Sequence, residues 1–403
     1  MCDQKHRRDK ISVELGDVFR LHGKSYCQNK TLTPQQYKVI NAIRNCRTSA
    51  LGGHIEQCDC CNNIHISYNS CRNRHCPKCQ SIKTARWLDD RKKELLPTPY
   101  FHVVFTLPHE LNTLVLYNKQ QLYSLLFQSA WETIKTLGQD PKRLNGLMGA
   151  LAVLHTWGQN ISCHNHVHCI VPGGALVNSK QWKSSKSNYL FPVKVMSKIF
   201  RGIFISGLRN IYEKGLLKIP NDPDAKTNFG VGKNFDALLD KLMGKSWVVY
   251  AKEPFAGPEK LLDYLGKYVN KIAISNNRIL SCDKDSVIFK WRDYSDNNKI
   301  KIMKLKPEEF MRRFLNHIVP PGFMRIRFFG FWANACKKKN IEVIRKLLSY
   351  KPNKKEKQKK DIQSLMFELT GVDITLCPKC KKGHLHAIQT IQNKFAKTKF
   401  DTS

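Results

Sequence analysis

Two histidines on one predicted strand are the residues of this sequence best suited to metal chemistry. His166 and His168 are separated by one apolar residue. Alternate side chains of a strand share a face, so we expect both imidazoles on one side of a sheet, together with His164. Such a pair suits a Mg²⁺ or Mn²⁺ ion at a phosphodiester, where the ion polarises the phosphate. Gln159 and Asp263 are both candidates for a third ligand, and the sequence does not choose between them.

Two tyrosines supply a candidate nucleophile for the same phosphodiester. Tyr264 and Tyr268 stand four residues apart in a predicted helix over 258–271, so both hydroxyls would lie on one face. Attack by a tyrosine oxygen keeps the bond energy as a phosphotyrosine, so strand transfer needs no ATP. Because the free pKa is about 10, the nearby cations Lys267 and Lys271 would assist. The alternative is that the rings pack against a sheet with their hydroxyls at its edge.

Cysteine pairs near the N-terminus indicate a zinc site. Cys58 and Cys61 form one C-x-x-C knuckle, and Cys76 and Cys79 form a second one, with fourteen residues between the two knuckles. That spacing can bring four thiolates around one Zn²⁺ ion. Cys60, Cys71 and His75 are alternative ligands, and Arg72, Arg74 and Lys78 could grip phosphates there.

A further C-x-x-C pair lies near the other end of the chain. Cys377 and Cys380 are half of a metal site. His384 and His386 could complete it, or the two cysteines could be surface thiols.

Composition points to a nucleic-acid partner. The chain has 403 residues, with 68 basic and 32 acidic side chains and a net charge of +36. The lysine-rich run at 351–360 accounts for only a small part of that charge. No apolar stretch reaches the roughly 20 residues of a membrane span. The odd number of cysteines, 15, and the polar first ten residues favour a reducing cytoplasm over secretion, with association to the nucleoid when DNA is bound.

The elements that must position these residues predict an α+β fold. We expect helices from Thr33-Pro34 and over 110–137, 195–217, 235–243, 258–271 and 307–317, and strands over 101–107, 147–157, 167–171 and 247–252, with two or three more over 272–305. This order fits an antiparallel sheet with helices on one face, as in ferredoxin-like folds. We expect a zinc-binding, DNA-binding module over 1–90, a catalytic domain over 95–335, and a basic tail with a cysteine knuckle over 336–403.

The motifs together carry a family resemblance. They are RTSALGGH (47–54), SCRNRHCPKC (70–79), FTLP (105–108), TWGQ (156–159), HNHVHC (164–169), the segment 264–275 and FMRIRFFG (323–330). In this order the chain resembles the rolling-circle insertion-sequence transposases of the HUH superfamily, in the two-tyrosine branch. The family's histidine pair matches His166 and His168, and its paired tyrosines match Tyr264 and Tyr268. One departure is Phe328-Phe329, where the family pattern has His-Tyr.

The resemblance implies cleavage of one DNA strand, a 5′-phosphotyrosine intermediate and a free 3′-OH. It implies Mg²⁺ or Mn²⁺ for cleavage, structural Zn²⁺, and as partners single-stranded DNA at the element ends and target DNA. The oligomeric state, monomer or homo-oligomer, stays open. Two alternatives also stay open. One is a rolling-circle replication initiator, and the other is a zinc-dependent nucleic-acid-binding protein without catalysis.

Overall fold

The computed structural model describes residues 13–186, 189–219, 232–252, 259–260, 262–263, 266, 273–351, 361–371 and 373–395. The strands are β1 (Gly53–Cys58), β2 (Ile64–Tyr68), β3 (Tyr100–Thr106), β4 (Gly149–Trp157), β5 (Cys163–Pro172), β6 (Gly174–Val177), β7 (Gln181–Ser184), β8 (Val249–Lys252), β9 (Ile279–Cys282), β10 (Val287–Asp293), β11 (Lys299–Leu305), β12 (Ile326–Gly330) and β13 (Leu385–Ile391). The helices are α1 (Leu15–Asn29), α2 (Pro34–Arg44), α3 (Ser81–Lys92), α4 (Asn112–Tyr117), α5 (Lys119–Gln139), α6 (Val193–Glu213), α7 (Gly232–Met243), α8 (Pro307–Asn316), α9 (Lys337–Leu347) and α10 (Ile362–Thr370). Residues 259–260, 262–263 and 266 are also helical.

A five-stranded antiparallel sheet forms the centre of the molecule. Its strand order is β12-β4-β5-β3-β8. The adjacent strands β4 and β5 pair with His155 opposite His166 and Val153 opposite His168. On the other side of β5, Thr106 of β3 lies opposite His166. The predicted strands 101–107, 147–157, 167–171 and 247–252 are thus confirmed, with small shifts at their ends.

The two faces of this sheet have different surroundings because alternate residues point in opposite directions. Val167, Cys169 and Val171 of β5 belong to the largest apolar core, which they share with side chains of α4, α5 and α6. Ile170 belongs to a separate core on the opposite face, with residues of α9 and the segment just before it. His166 and His168 share the face of Ile170. The expected α+β class with an antiparallel sheet is confirmed, although the opposite face is also partly covered.

The helix predicted over 110–137 consists of two helices, α4 and α5. The break falls at Asn118, whose backbone is not helical. Its side chain donates to the backbone oxygen of Lys218 at 2.8 Å and accepts from the backbone nitrogen of Lys218 at 2.7 Å. A long-range contact, which local sequence does not reveal, therefore ends α4.

A second apolar core joins the N-terminal helices to the segment after residue 272. Thr33 caps α2 and Gln36 completes a capping box, as the Thr33-Pro34 pair predicts. α1 and α2 then pack against α8 and the sheet β11-β10-β9, with Phe19 edge-on to Phe314 at 5.5 Å between ring centroids. The predicted strands over 272–305 and the helix 307–317 are confirmed, and the first 90 residues share their core with this later segment.

The C-terminal segment returns to the N-terminal region. β13 pairs antiparallel with β1, which also pairs with β2. Residues 385–391 therefore belong to a three-stranded sheet, so the expectation that residues 336–403 form a tail is wrong for this part of the chain. Strand pairing between the two ends of a chain leaves no local signal. Among the described residues, no helix combines the length and apolar character that a membrane span requires.

Candidate active site and metal centres

Three histidines converge on the open face of the central sheet. His155 Nδ1 lies 2.8 Å from His166 Nε2, and His166 Nε2 lies 3.0 Å from His168 Nε2. Alternation along β5 puts His166 and His168 on one face, as predicted, and the register with β4 adds His155 from the neighbouring strand. We call these three residues the histidine triad. All three are buried, with 6–7% of each residue exposed.

Hydrogen bonds orient the triad. His166 Nδ1 donates to the backbone oxygen of His164 at 2.8 Å, which leaves the lone pair of Nε2 directed at its two neighbours. His168 Nδ1 lies 2.8 Å from Nε2 of His102, a residue of β3. When His168 donates this bond, its Nε2 carries a lone pair that can serve as a metal ligand. An outer partner of this kind fixes the ring of a metal-binding histidine.

Burial and mutual repulsion keep the triad neutral. Burial lowers the pKa of His166 to about 3, and it lowers those of His155 and His168 well below the ordinary value, with the neighbouring histidines adding to the effect. Burial also lowers the pKa of His102 to about 4. Neutral imidazoles offer lone pairs at physiological pH, which is what a metal ion requires.

The triad fits a divalent metal ion. Nitrogens bound about 2.1 Å from one ion lie about 3.0–3.4 Å apart, close to the distances between these nitrogens. A donor set of three imidazoles suits a transition-metal ion better than Mg²⁺, which prefers oxygen ligands. Of the two ions expected from the sequence, Mn²⁺ is the transition-metal ion.

Neither of the two residues expected as third ligand belongs to the triad. The Asp263 carboxylate is 2.8 Å from Nζ of Lys92 in α3, so this acid is engaged in an ion pair and Asp263 is not a member of the triad. Gln159 donates to the Tyr294 hydroxyl at 3.0 Å and lines the mouth of the same cleft. The third nitrogen comes from His155, and an additional ligand role for Gln159 stays a prediction. The TWGQ motif begins directly after His155, but only the strand register shows which residue faces His166.

A cleft of about 390 Å³ opens on the triad. Trp157, Gln159, His164 and Tyr294 line it together with the three histidines. His155 packs edge-on against Trp157 with 3.9 Å between ring centroids, so an indole forms one wall. Tyr294 is 64% exposed. The cleft thus combines a buried nitrogen cluster with a buried indole and an exposed tyrosine ring.

The predicted nucleophiles Tyr264 and Tyr268 lie outside the described residues, as do Lys267 and Lys271. Residues beside them are described. Leu262 is buried in the same core as Leu151 and Ile170, on the sheet face that carries the triad, and Asp263 pairs with Lys92. Leu262 therefore lies on the triad's side of the sheet.

One cysteine cluster lies next to the second apolar core. Cys46, Cys71, Cys76 and Cys79 have their sulfur atoms within 4.8 Å of one another. Cys46 Sγ is 3.3 Å from that of Cys79 and 3.6 Å from that of Cys76. The neighbouring thiols lower the pKa of Cys79, which favours a thiolate. The set is typical of a structural zinc site.

The expected ligand set Cys58, Cys61, Cys76 and Cys79 is wrong. The two knuckles belong to different clusters, because Cys58 and Cys61 lie with Cys377 and Cys380. Sequence reasoning omitted Cys46 because it stands alone, 25 residues before Cys71.

Of the alternative zinc ligands Cys71 and His75, only Cys71 lies in the cluster. Cys71 is a ligand candidate, as expected, whereas His75 is not in the cluster. His75 is buried beside Asn73, with Nδ1 3.1 Å from Oδ1 of Asn73.

The cations around this zinc site have unequal surroundings. Arg74 donates twice to the backbone oxygen of Phe323, at 2.9 Å each, and burial lowers its pKa. Lys78 is paired with Glu14. Both contacts hold the fold together, so the expected DNA role of Arg74 and Lys78 is not supported. Arg72 is exposed and stays a candidate for phosphate binding.

Known proteins resemble the chain over most of its length. A family described as "Putative transposase" matches residues 149–340, and a family described as "Transposase zinc-binding domain" matches residues 18–107. A protein named "Putative transposase y4qJ", from Sinorhizobium fredii (strain NBRC 101917 / NGR234), is 43% identical over 380 residues, which are 93% of this chain and 95% of that protein. The "Transposase for insertion sequence element IS801", from Pseudomonas savastanoi pv. phaseolicola, is 26% identical over 302 residues, which are 74% of this chain and 70% of that protein. No solved structure shows significant similarity.

Proposed function

The chain belongs to this family of insertion-sequence transposases, and on that premise we propose that it cuts one DNA strand at the histidine triad by attack of a tyrosine oxygen. The observation that carries the proposal is the meeting of three neutral imidazoles on an open sheet face. Tyr264 and Tyr268 are the proposed nucleophiles. The anchoring of Leu262 and Asp263 on the triad's side of the sheet supports this choice.

The proposed step is an exchange of phosphodiester bonds. The tyrosine oxygen loses its proton to solvent and forms a bond to phosphorus, while the bond to the 3′ oxygen breaks. The departing 3′ oxygen takes up a proton and becomes a free 3′-OH. The 5′ phosphate stays on the tyrosine, and a later attack by a 3′-OH reverses the exchange, so no external energy source is required.

His155, His166 and His168 would hold the metal ion. When bound, a divalent ion at this position polarises the phosphate and offsets the charge that develops on it. The residues around the triad do the positioning: His102 and the His164 carbonyl orient two rings, and Trp157 packs against the third.

Single-stranded DNA is the proposed substrate because exposed aromatic rings and cations flank the triad. Tyr250 of β8 is 43% exposed and lies edge-on to His102. Lys252 Nζ is 5.7 Å from the Tyr250 ring centroid, and Tyr294, which lines the cleft, is also exposed. Unpaired bases stack on such rings while lysines contact the phosphates, and the net charge of +36 favours DNA overall.

Adduct formation tests this function. The protein is incubated with single-stranded oligonucleotides from the ends of its own element and with Mn²⁺, then denatured. We expect a covalent protein–DNA adduct that the Tyr264→Phe/Tyr268→Phe variant does not form, although it binds the same DNA. Tyr117→Phe is the matched control, because Tyr117 is an exposed residue of α4 that does not line the cleft, and this variant should form the adduct. An adduct of normal yield from the double variant would remove the tyrosines from the mechanism, and no adduct from the native protein would leave a DNA-binding protein only.

A further inference from the structure

We propose that the chain binds a second structural zinc ion in a site built from its two ends, with Cys58 and Cys61 from the N-terminal region and Cys377 and Cys380 from the C-terminal region. We call these four residues the terminal clamp. The sulfur atoms lie within 4.8 Å of one another, although 316 residues separate Cys61 from Cys377.

The sulfur positions match zinc coordination. Cys58 Sγ is 3.7 Å from Cys380 Sγ, and Cys61 Sγ is 3.7 Å from Cys377 Sγ. Four sulfurs at the usual Zn–S distance in a tetrahedron lie about 3.8 Å apart. A disulfide requires sulfurs about 2.05 Å apart, so a metal fits the observed spacing better.

The backbone around the clamp supports thiolates. The N–H groups of Cys60 and Cys61 point at Cys58 Sγ, with nitrogen–sulfur distances of 3.4 and 3.5 Å. The N–H of Gly383 points at Cys380 Sγ from 3.4 Å. Donors aimed at sulfur stabilise the negative charge of metal-bound thiolates. The two knuckles thus have the same arrangement, one from each end of the chain.

The two knuckles are also held together by contacts other than sulfur. Asp59 accepts a hydrogen bond from the backbone nitrogen of His384 at 2.8 Å. A Cβ at Gly383 would lie 2.4 Å from Asp59 Oδ1 and 2.7 Å from Cys58 Sγ, so only glycine permits this approach. Three exposed lysines, Lys379, Lys381 and Lys382, can offset the net negative charge of a zinc ion with four thiolates.

The clamp extends its effect to the region of the active site. It joins β13 to β1, and α10, which precedes the C-terminal knuckle, packs on α3. Lys92 of α3 holds Asp263, the neighbour of Tyr264. We therefore expect the clamp to brace α3 as well as to fix the C-terminal segment.

Metal content tests the clamp in the full-length protein, with a His155→Ala/His166→Ala background to remove the histidine site. We expect two zinc ions per chain, and one in the Cys377→Ser/Cys380→Ser variant. After replacement by Co²⁺, the sulfur-to-cobalt absorption should fall by about half in that variant. Cys60→Ser is the matched control, because Cys60 is exposed in the same knuckle but outside the cluster, and it should change neither value. Unchanged zinc and cobalt signals in the folded double variant would overturn the proposal.

Alkylation of the native protein keeps the test decisive if the variant does not fold. With zinc present, Cys60 should react with iodoacetamide while the four clamp cysteines stay unmodified. Chelation should then make Cys58, Cys61, Cys377 and Cys380 reactive together. The proposal fails if Cys377 and Cys380 react as fast as Cys60 before chelation, or if the intact mass shows the loss of two hydrogens expected for a disulfide.

Discussion

The histidine triad and the two cysteine clusters are built in opposite ways. The triad comes from the adjacent strands β4 and β5. The sequence pattern predicts that His166 and His168 share a face, and the register of β4 against β5 adds His155. Each cysteine cluster joins knuckles or single residues that are distant in the chain, up to 322 residues apart. The comparison shows that alternation along a strand predicts which of its side chains share a site. The C-x-x-C pairs of this chain look alike, and the sequence does not show which of them share a metal ion.

Loss of a triad residue should have the largest effect. His166→Ala removes the central nitrogen and should lower the rate of DNA cleavage by at least about a thousand-fold, because metal stabilisation of the transition state amounts to several kcal/mol. DNA affinity should change little. Single-turnover cleavage and filter binding at the same salt concentration measure the two quantities. A variant that still cleaves at a tenth of the native rate would break the assignment of the triad.

The two cysteine clusters should differ in their effect on stability. Cys46 and Cys76 are buried in the core that holds α1 and α2, so Cys76→Ser/Cys79→Ser should lower the free energy of unfolding by about 4 kcal/mol or more. Cys377→Ser/Cys380→Ser should mainly release the C-terminal segment and cost less. Thermal unfolding and limited proteolysis of both variants measure this, and equal losses of stability would contradict the distinction.

His102 should tune the triad without being a ligand. His102→Ala removes the partner of His168 Nδ1 and should weaken Mn²⁺ binding about 10–100-fold, as expected for an outer partner of a metal-binding histidine. Excess Mn²⁺ should restore cleavage in this variant but not in His166→Ala. Titration of cleavage with Mn²⁺ separates the two cases. No rescue would mean that His102 acts in another way.

Substitution of two arginines beside the first cysteine cluster should give the smallest effects. One substitution should change DNA binding and the other should change stability. Arg72 is exposed, so Arg72→Ala should reduce the slope of log K against log salt by about 1 if it contacts a phosphate. Arg74→Ala should lower stability instead, because its hydrogen bonds to the Phe323 oxygen are lost. An unchanged slope for Arg72→Ala would remove this residue from the DNA surface.

Much of the fold follows from local patterns. The capping box at Thr33 and the alternation over Val167 and Val171 predict α2 and the interior of β5 correctly. Long-range contacts account for what was missed. The Asn118 side chain bonds to Lys218 and divides the predicted helix, and β13 pairs with β1 from the other end of the chain.

The candidate site likewise has a part that local sequence predicts and a part that depends on long-range contacts. His166 and His168 share a face because they are two residues apart, so their prediction needed no partner strand. His155 belongs to the triad because the strand register places it opposite His166. Asp263 was expected as a ligand, but its carboxylate forms an ion pair with Lys92. The residue types were readable in the sequence, and the pairing between distant segments was not.

The proximity of the tyrosine segment to the triad is the central claim, and localised oxidation measures it directly. Fe²⁺ bound in place of Mn²⁺, with ascorbate and peroxide, cuts the polypeptide only near the ion. We predict cuts within β4 and β5 and a further cut at residues 262–268, all absent from the His155→Ala/His166→Ala variant. Cuts confined to β4 and β5, with none at 262–268, would contradict a shared site for the histidines and the tyrosines.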